Sequence, residues 1–431
     1  MTNLQTADDK LETLTEAAAT AFVFTLPLFQ MEALRRRGMS EAGMGTFAHG
    51  RMLYDHRNRH ITTPNNDTLY SFGWLDLRRG PARVTLPPPP GRYASLAFLD
   101  MYTNNFLVLD VEEGVRQYTV IGPDDAIEGP TATTAGTFIR SPTPICLMLA
   151  RVLVEGPDDV AAAAAIQDGF RIEMLSDSDD DAPLPLPEGI ETDQPWDRHL
   201  AAAAKLLDLC PPSAADQAAI SRMAPLGLSR FDPARFSPDE GAAIERGLDL
   251  GRARIQGEIA VIRERADGWT TPALTQGDFR RNYLHRARVS ISGLCALPRD
   301  EAIYFIGSRF GGDPLSGDRP MRWHMPAGAL PPVDGFWSLT MYEFNELGER
   351  YFTENPIGRY SIGDRTEGLS LNDDGSLDIW IGHESPSGAR RTNWLPAPKG
   401  RYSLTLRAYR PGAALVERDY RLPEVTPAEE Y

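Results

Sequence analysis

One pattern occurs three times in the 431 residues, and it restricts the fold to something assembled from equivalent strands. Leu86-Pro87-Pro88-Pro89-Pro90-Gly91-Arg92-Tyr93-Ala94-Ser95-Leu96 is echoed by Leu330-Pro331-Pro332-Val333-Asp334-Gly335-Phe336-Trp337-Ser338-Leu339. Both are echoed by Leu395-Pro396-Ala397-Pro398-Lys399-Gly400-Arg401-Tyr402-Ser403-Leu404. Each reads as a proline-rich turn, a glycine, an aromatic, then serine and leucine opening a strand. Proline pre-sets the turn, and glycine supplies a positive φ or room for close approach. Equivalent strand entrances in related β-sandwiches account for the repeat; independent use of one turn type is the alternative.

The surrounding punctuation agrees. Short apolar runs at 68–77, 92–101, 105–110, 116–121 and 136–140 are separated by Gly and Pro, and so are runs at 301–307, 319–325, 336–343, 359–364, 376–381 and 401–410. Regular short strands with turn signals favour a sandwich or barrel over a parallel α/β fold. The rest reads as helical. Leu11, Leu14, Ala18, Ala21 and Phe22 fall at helical spacing within 8–37, where Pro27 should kink or end the helix. Helices are also expected at 196–209, from the capping run Ser237-Pro238-Asp239-Glu240 to about 266, and at 278–294. Residues 176–195, acidic and proline-rich, read as a surface loop. The expected architecture is multi-domain α+β, mainly β with a large helical segment. It comprises an N-terminal helical segment (1–63), an antiparallel jelly-roll-like β-sandwich (64–140), bridging helices (141–299) and a second such sandwich (300–431).

The stretch Pro64-Asn65-Asn66-Asp67-Thr68-Leu69-Tyr70-Ser71-Phe72-Gly73-Trp74-Leu75-Asp76-Leu77 carries the strongest functional signal. It opens with turn formers and becomes a strand that is apolar on both faces, hence buried on both. Polar groups beside such a strand are costly unless paired, so they either cap the turn or build a site. This run resembles the signature of a bacterial family described by two paired domains of unknown function, DUF 1254 and DUF 1214. The resemblance continues in Gly91-Arg92-Tyr93, Asp100-Met101-Tyr102-Thr103-Asn104, Arg140-Ser141-Pro142-Thr143, Pro331-Pro332, Phe336-Trp337-Ser338-Leu339-Thr340-Met341-Tyr342, 355–364 and Asn393-Trp394-Leu395-Pro396-Ala397-Pro398. It implies two β-sandwiches plus helical segments over nearly the whole chain, and it implies no particular chemistry.

Net charge is −16, which argues against nucleic acid or an anionic membrane as a general partner. Cys146, Cys210 and Cys295 are odd in number and far apart, so free buried thiols are expected rather than disulfides. The N-terminus has no basic region ahead of its apolar run and lacks a secretory layout, so a cytoplasmic location is expected. There is no GxSxG elbow, GxGxxG, P-loop or HExxH, and the seven histidines fall in no metal-ligand pattern. No cofactor and no bound metal are expected. The pair His56 and His60, four apart, is the nearest approach to a metal pair, but its β-branched surroundings argue against a helix.

What remains is a set of polar and aromatic residues in the signature strands. Asp67, Tyr70 and Asn66 are the candidate catalytic residues; Asn65, Trp74, Tyr102, Asn104, Trp337, Tyr342, Arg359 and Trp394 are candidate substrate contacts. Aromatic walls with a few amides, carboxylates and an arginine suit a small polar organic molecule. A carboxylate desolvated in such a wall has a raised pKa and suits acid–base work. Three readings stay open. The first is a cofactor-independent hydrolase or lyase acting in a cleft between the two sandwiches, with Asp67 paired to Arg359 if a buried cation is present. The others are a non-catalytic binder of small molecules or carbohydrate, and a metal enzyme with scattered ligands. A homo-oligomer is expected because closed assemblies are common.

Overall fold

The computed structural model describes residues 7–113, 116–126, 138–175, 191–261, 268–429 and 431. Most of the loop expected at 176–195 lies outside these. A single helix, α1 (Ala7–Ala42), opens the chain. The first sandwich follows as β1 (Phe47–His49), β2 (Thr68–Asp76), β3 (Ala82–Thr85), β4 (Ala94–Asp100), β5 (Asn105–Asp110), β6 (Gln117–Ile121), β7 (Phe138–Arg140), β8 (Ile145–Leu153), α2 (Val160–Gln167) and β9 (Arg171–Met174). Helices α3 (Trp196–Leu209), α4 (Gln217–Met223), α5 (Pro238–Val261) and α6 (Tyr283–Ser292) form the bridge, with the short strand β10 (Trp269–Thr270) between the last two. The second sandwich contains β11 (Ala302–Gly307), β12 (Arg309–Phe310), β13 (Asp313–Pro314), β14 (Met321–Met325), β15 (Val333–Phe344), β16 (Arg350–Tyr351), β17 (Ser361–Gly363), β18 (Leu377–Gly382), β19 (Trp394–Pro396), β20 (Tyr402–Pro411), α7 (Ala413–Val416) and β21 (Val425–Pro427).

The two sandwiches repeat one topology. Sheet order β1-β2-β8-β4-β5 recurs as β10-β11-β20-β15-β16, and β7-β6-β3-β9 recurs as β19-β18-β14-β21. In each, one pair is parallel, β6 with β7 and β18 with β19, so the sheets are not wholly antiparallel. Register repeats as well. Gly73 of β2 faces Phe47 of β1, and Gly307 of β11 faces Trp269 of β10. A Cβ at either glycine would stand 2.8 or 2.9 Å from that ring, so both positions are held open for an aromatic lid. Two of the three sequence echoes, at β4 and β15, are topologically equivalent. The third, β20, occupies the position of β8 and so repeats only the turn chemistry.

Apolar side chains alternate inward to form each sandwich core. Leu69, Leu75, Leu96, Phe98, Met148 and Val152 meet Val84, Val120 and Ile139 in the first. Ile303, Leu339, Leu404 and Leu406 meet Trp323, Ile379 and Leu395 in the second. β8 lies inside the stretch read as helical from 141 onward. Its run Ile145-Cys146-Leu147-Met148-Leu149-Ala150-Arg151-Val152-Leu153 is buried at every position, because helices cover the face turned away from the core. Burial on both sides erases the alternation that marks a strand in sequence.

α1 also departs from expectation. It is one helix of 36 residues with Pro27 inside, not two segments. Leu26, Leu28 and Phe29 around the proline are sealed in the core, and that packing offsets the missing hydrogen bond. Over Ala7–Gly38 the helix is long and apolar enough to cross a membrane, and 78% of its most apolar window is buried inside the protein. α5 lies along α1 at glycine contacts: a Cβ on Gly247 would stand 2.3 Å from the Thr15 carbonyl oxygen.

Candidate functional site

The faces of the two main sheets that point away from their cores carry a matched cross-strand row. In the first sandwich Tyr70, Arg151 and Ser95 stand side by side on β2, β8 and β4. In the second, Tyr304, Arg407 and Ser338 stand side by side on β11, β20 and β15. Three residues before each tyrosine sits a carboxylate, Asp67 or Glu301. The period of two puts the tyrosine, arginine and serine of each row opposite the apolar core set, while each carboxylate sits in the turn just before its strand, and the two faces meet at a seam.

Contacts across the seam are reciprocal. Ser338 Oγ donates to Asp67 Oδ2 at 2.6 Å, joining β15 to the entrance of β2. Tyr93, two residues before Ser95, donates to Glu301 Oε1 at 2.5 Å, and its oxygen lies 3.1 Å from Ser95 Oγ. The rings of Tyr93 and its equivalent Phe336 touch edge-on at 5.4 Å. Each carboxylate thus meets the equivalent strand edge of the other half, Asp67 through Ser338 and Glu301 through Tyr93 rather than Ser95, so the two-fold relation is approximate. Asn65 Nδ2 donates to Tyr409 Oη at 2.7 Å, and Tyr409 stacks on Phe336 at 4.3 Å. Arg410 pairs with Asp110 across the same boundary.

The equivalent residues differ in how they are satisfied. Asp67 is 4% exposed and also meets Arg365 Nη2 at 3.4 Å, so both of its oxygens are engaged. Burial raises the Glu301 carboxyl pKa above its ordinary value, against the lowering effects of the Tyr93 hydrogen bond, Arg410 and Arg151. Arg407 donates to Thr340 Oγ1 at 2.8 Å, to Tyr342 Oη at 2.7 Å and to the carbonyls of Thr63 and Pro64. Arg151 is equally buried, yet only its Nη2 has an acceptor, the Cys295 carbonyl at 3.1 Å; Nε and Nη1 have none. Its guanidinium lies 5.4 Å from the Tyr70 ring centroid, with Tyr304, Tyr93 and Tyr409 as further electrostatic neighbours. Tyr70 and Tyr304 are half-buried, and their hydroxyls have no hydrogen-bond partner among the described residues.

Asp67, Asn65, Tyr70 and Tyr342 therefore gather at the seam. Tyr342 donates to the Pro64 carbonyl at 2.5 Å. Asn66 lies beside them but ties down the loop before β2, donating to the Tyr54 carbonyl at 2.6 Å. The other candidates lie elsewhere. Trp74 packs in the helix-covered core, and Tyr102 donates to the Cys210 carbonyl at 2.8 Å. Asn104 closes a loop onto Asp100 at 2.8 Å. Trp337 sits inside the second core, and Trp394 donates to the Gly382 carbonyl at 3.0 Å. Arg359 donates to the carbonyls of Thr392 and Trp394, both at 2.8 Å, so the cation beside Asp67 is Arg365 and not Arg359. Among the described residues no group of three or more His, Cys, Asp or Glu is placed to hold a metal. His56 Nδ1 lies 2.7 Å from Tyr360 Oη, and His60 meets the Tyr54 ring.

Arg151, Arg407, Glu301, Ser338, Tyr93, Tyr304 and Tyr409 are the seam residues that the sequence reading missed. One signal for two of them was available. Asp67-x-x-Tyr70-x-x-Gly73 recurs as Glu301-x-x-Tyr304-x-x-Gly307, and the turn-based echoes do not include it.

Fold and seam together define an internally duplicated two-sandwich protein, with a helical layer on the first sandwich and a buried polar boundary between the two. The chain belongs to the family of paired domains of unknown function, DUF1254 and DUF1214. The first family model matches residues 44–174, which enclose β1 to β9, and the second matches 301–413, which enclose β11 to β20. The crystal structure of the VPA0106 protein from Vibrio parahaemolyticus is similar over 96% of this chain and 100% of its own, with a TM-score of 0.74 and 20% identity. A putative uncharacterized protein from Burkholderia cenocepacia matches over 94% of this chain and 93% of its own, with a TM-score of 0.47 and 14% identity. No curated protein matches the chain.

Proposed function

We propose that the seam between the two sandwiches binds a small polar organic molecule and acts on it by cofactor-independent acid–base chemistry, with Glu301 as the proton-handling carboxylate. The observation that carries this reading is the pair Tyr70 and Tyr304, equivalent half-buried phenols without a hydrogen-bond partner among the described residues, where every other seam residue is sealed or paired. Unsatisfied hydroxyls beside apolar rings are what a pocket offers a polar ligand. Asp67 is a poor proton carrier because Ser338 and Arg365 occupy both of its oxygens. Glu301, its equivalent, is half-buried, carries a raised pKa and sits in a hydrogen-bonded line with Tyr93 and Ser95. A shift in that direction moves a carboxylate toward the proton-holding form that a general acid uses.

The test is a panel of small polar esters, lactones, hydroxy acids and sugars, followed for binding by calorimetry and for product by NMR. Turnover is expected in the full chain. It should fall about a hundredfold or more in Glu301→Gln and much less in Asp67→Asn. Binding without turnover would remove the acid–base role and leave a ligand-binding protein.

A further inference from the structure

We infer that the seam ligand carries a carboxylate, and that Arg151 is the group that binds it. This rests on the seam being the binding site. The argument is a comparison inside one chain. Arg151 and Arg407 occupy the same position of the same sheet in the two sandwiches, each between an equivalent tyrosine and an equivalent serine. Both are buried, at 4% exposure each. Arg407 is supplied with two hydroxyl and two carbonyl acceptors. Arg151 has one carbonyl and the face of the Tyr70 ring, and its Nε and Nη1 have no hydrogen-bond acceptor. Arginine stays charged in protein interiors, so a fold that buries it without acceptors bears a large cost, unless something that is not part of the chain supplies them.

The charges around it narrow the chemistry. Asp67 is taken by Arg365 and Asp110 by Arg410, so neither is available to neutralise Arg151. Glu301 accepts from Tyr93 and acts on Arg151 only through space, without a hydrogen bond to it. One free guanidinium beside two free phenols offers N–H and O–H donors and a single positive charge. That donor set matches a planar monoanion, which accepts from all three. A phosphate dianion fits less well, because one guanidinium supplies a single positive charge against its two negative ones.

The experiment uses the full chain and matched probes: benzoate with benzamide, lactate with lactamide, and inorganic phosphate. Melting temperature and calorimetric affinity are measured for each. At least one carboxylate is expected to bind and raise the melting temperature, with its amide and phosphate much weaker. Arg151→Met should weaken that carboxylate roughly a hundredfold, without lowering the melting temperature of the ligand-free protein, because it removes an unpaired buried charge. Arg407→Met, which strips four hydrogen bonds, should lower it. Should Arg151→Met fail to fold, Tyr70→Phe combined with Tyr304→Phe serves, and should weaken the same carboxylate about tenfold. A carboxylate bound equally by wild type and Arg151→Met, or phosphate preferred over every carboxylate, overturns the inference. An amide binding as well as its acid, and weakened by the two tyrosine changes, overturns the charge assignment but keeps the seam. Binding by no probe at all overturns the inference and the seam reading together.

Discussion

At the scale of single residues, burial decides roles that residue type leaves open. Asp67 and Glu301 share a position and a charge, yet one is clamped and the other is shifted. The same holds for His199 of α3, whose ring lies between Phe29 at 4.7 Å and Phe22 at 5.3 Å. Neither ring nitrogen has a partner, and burial lowers its pKa from 6.5 to about 4. A histidine depressed in the folded state binds its proton more readily when unfolded. Its contribution to stability is therefore whole above pH 6.5 and is lost as pH falls toward about 4. The loss should approach about 3 kcal/mol. Urea midpoints measured from pH 7.5 to 4 should fall more steeply for wild type than for His199→Phe, which keeps the stacked ring and removes the proton site. Parallel curves would refute this.

Among the elements, most strand positions were readable where Gly or Pro marked the ends, but the four-residue strands β3 and β9 were missed, being too short for alternation to show. β8 was missed because the helical layer buries its second face. The close contact between α1 and α5 was not readable either, since a glycine in a helix gives no sign of what lies against it. Gly247 faces the Thr15 carbonyl and the Ala18 methyl, whereas Gly257 on the same helix faces nothing within 4 Å. Gly247→Ala should destabilise by about 1–3 kcal/mol, because backbone cannot yield as a side chain can. Gly257→Ala should stabilise by up to about 1 kcal/mol through helix propensity alone. Denaturant melts of the two variants, run side by side, should move in opposite directions; movement in the same direction would mean that the helices are not packed through Gly247.

For the whole molecule, the seam makes the two sandwiches one unit. The outward row Phe336, Ser338, Thr340, Tyr342 on β15 and Ser403, Thr405, Arg407, Tyr409 on β20 is buried, although five of these eight residues are polar. Exposing it would strand Arg407 and Tyr342, whose partners at Thr63 and Pro64 belong to the first half. Calorimetry should therefore record a single unfolding transition, with the calorimetric and van't Hoff enthalpies agreeing. Two separated transitions would show that the seam does not couple the halves.

The sequence by itself determined most of the strands, the turn chemistry that opens them, the division into two β-rich halves and the family. These depend on neighbours within about ten positions, where periodicity and turn formers act. Only the tertiary structure decided which polar residues meet. Ser338 and Asp67 are 271 positions apart, and no spacing encodes their contact. Nor does strand alternation separate Trp74 from Tyr70, which share a face of β2. Four residues along a strand is roughly 13 Å, enough for helices to cover Trp74 while the second sandwich meets the strand at Tyr70. Trp337, one residue from Ser338, points the other way into its own core. A side chain's face follows from parity, but what that face meets is settled only when the second sheet arrives.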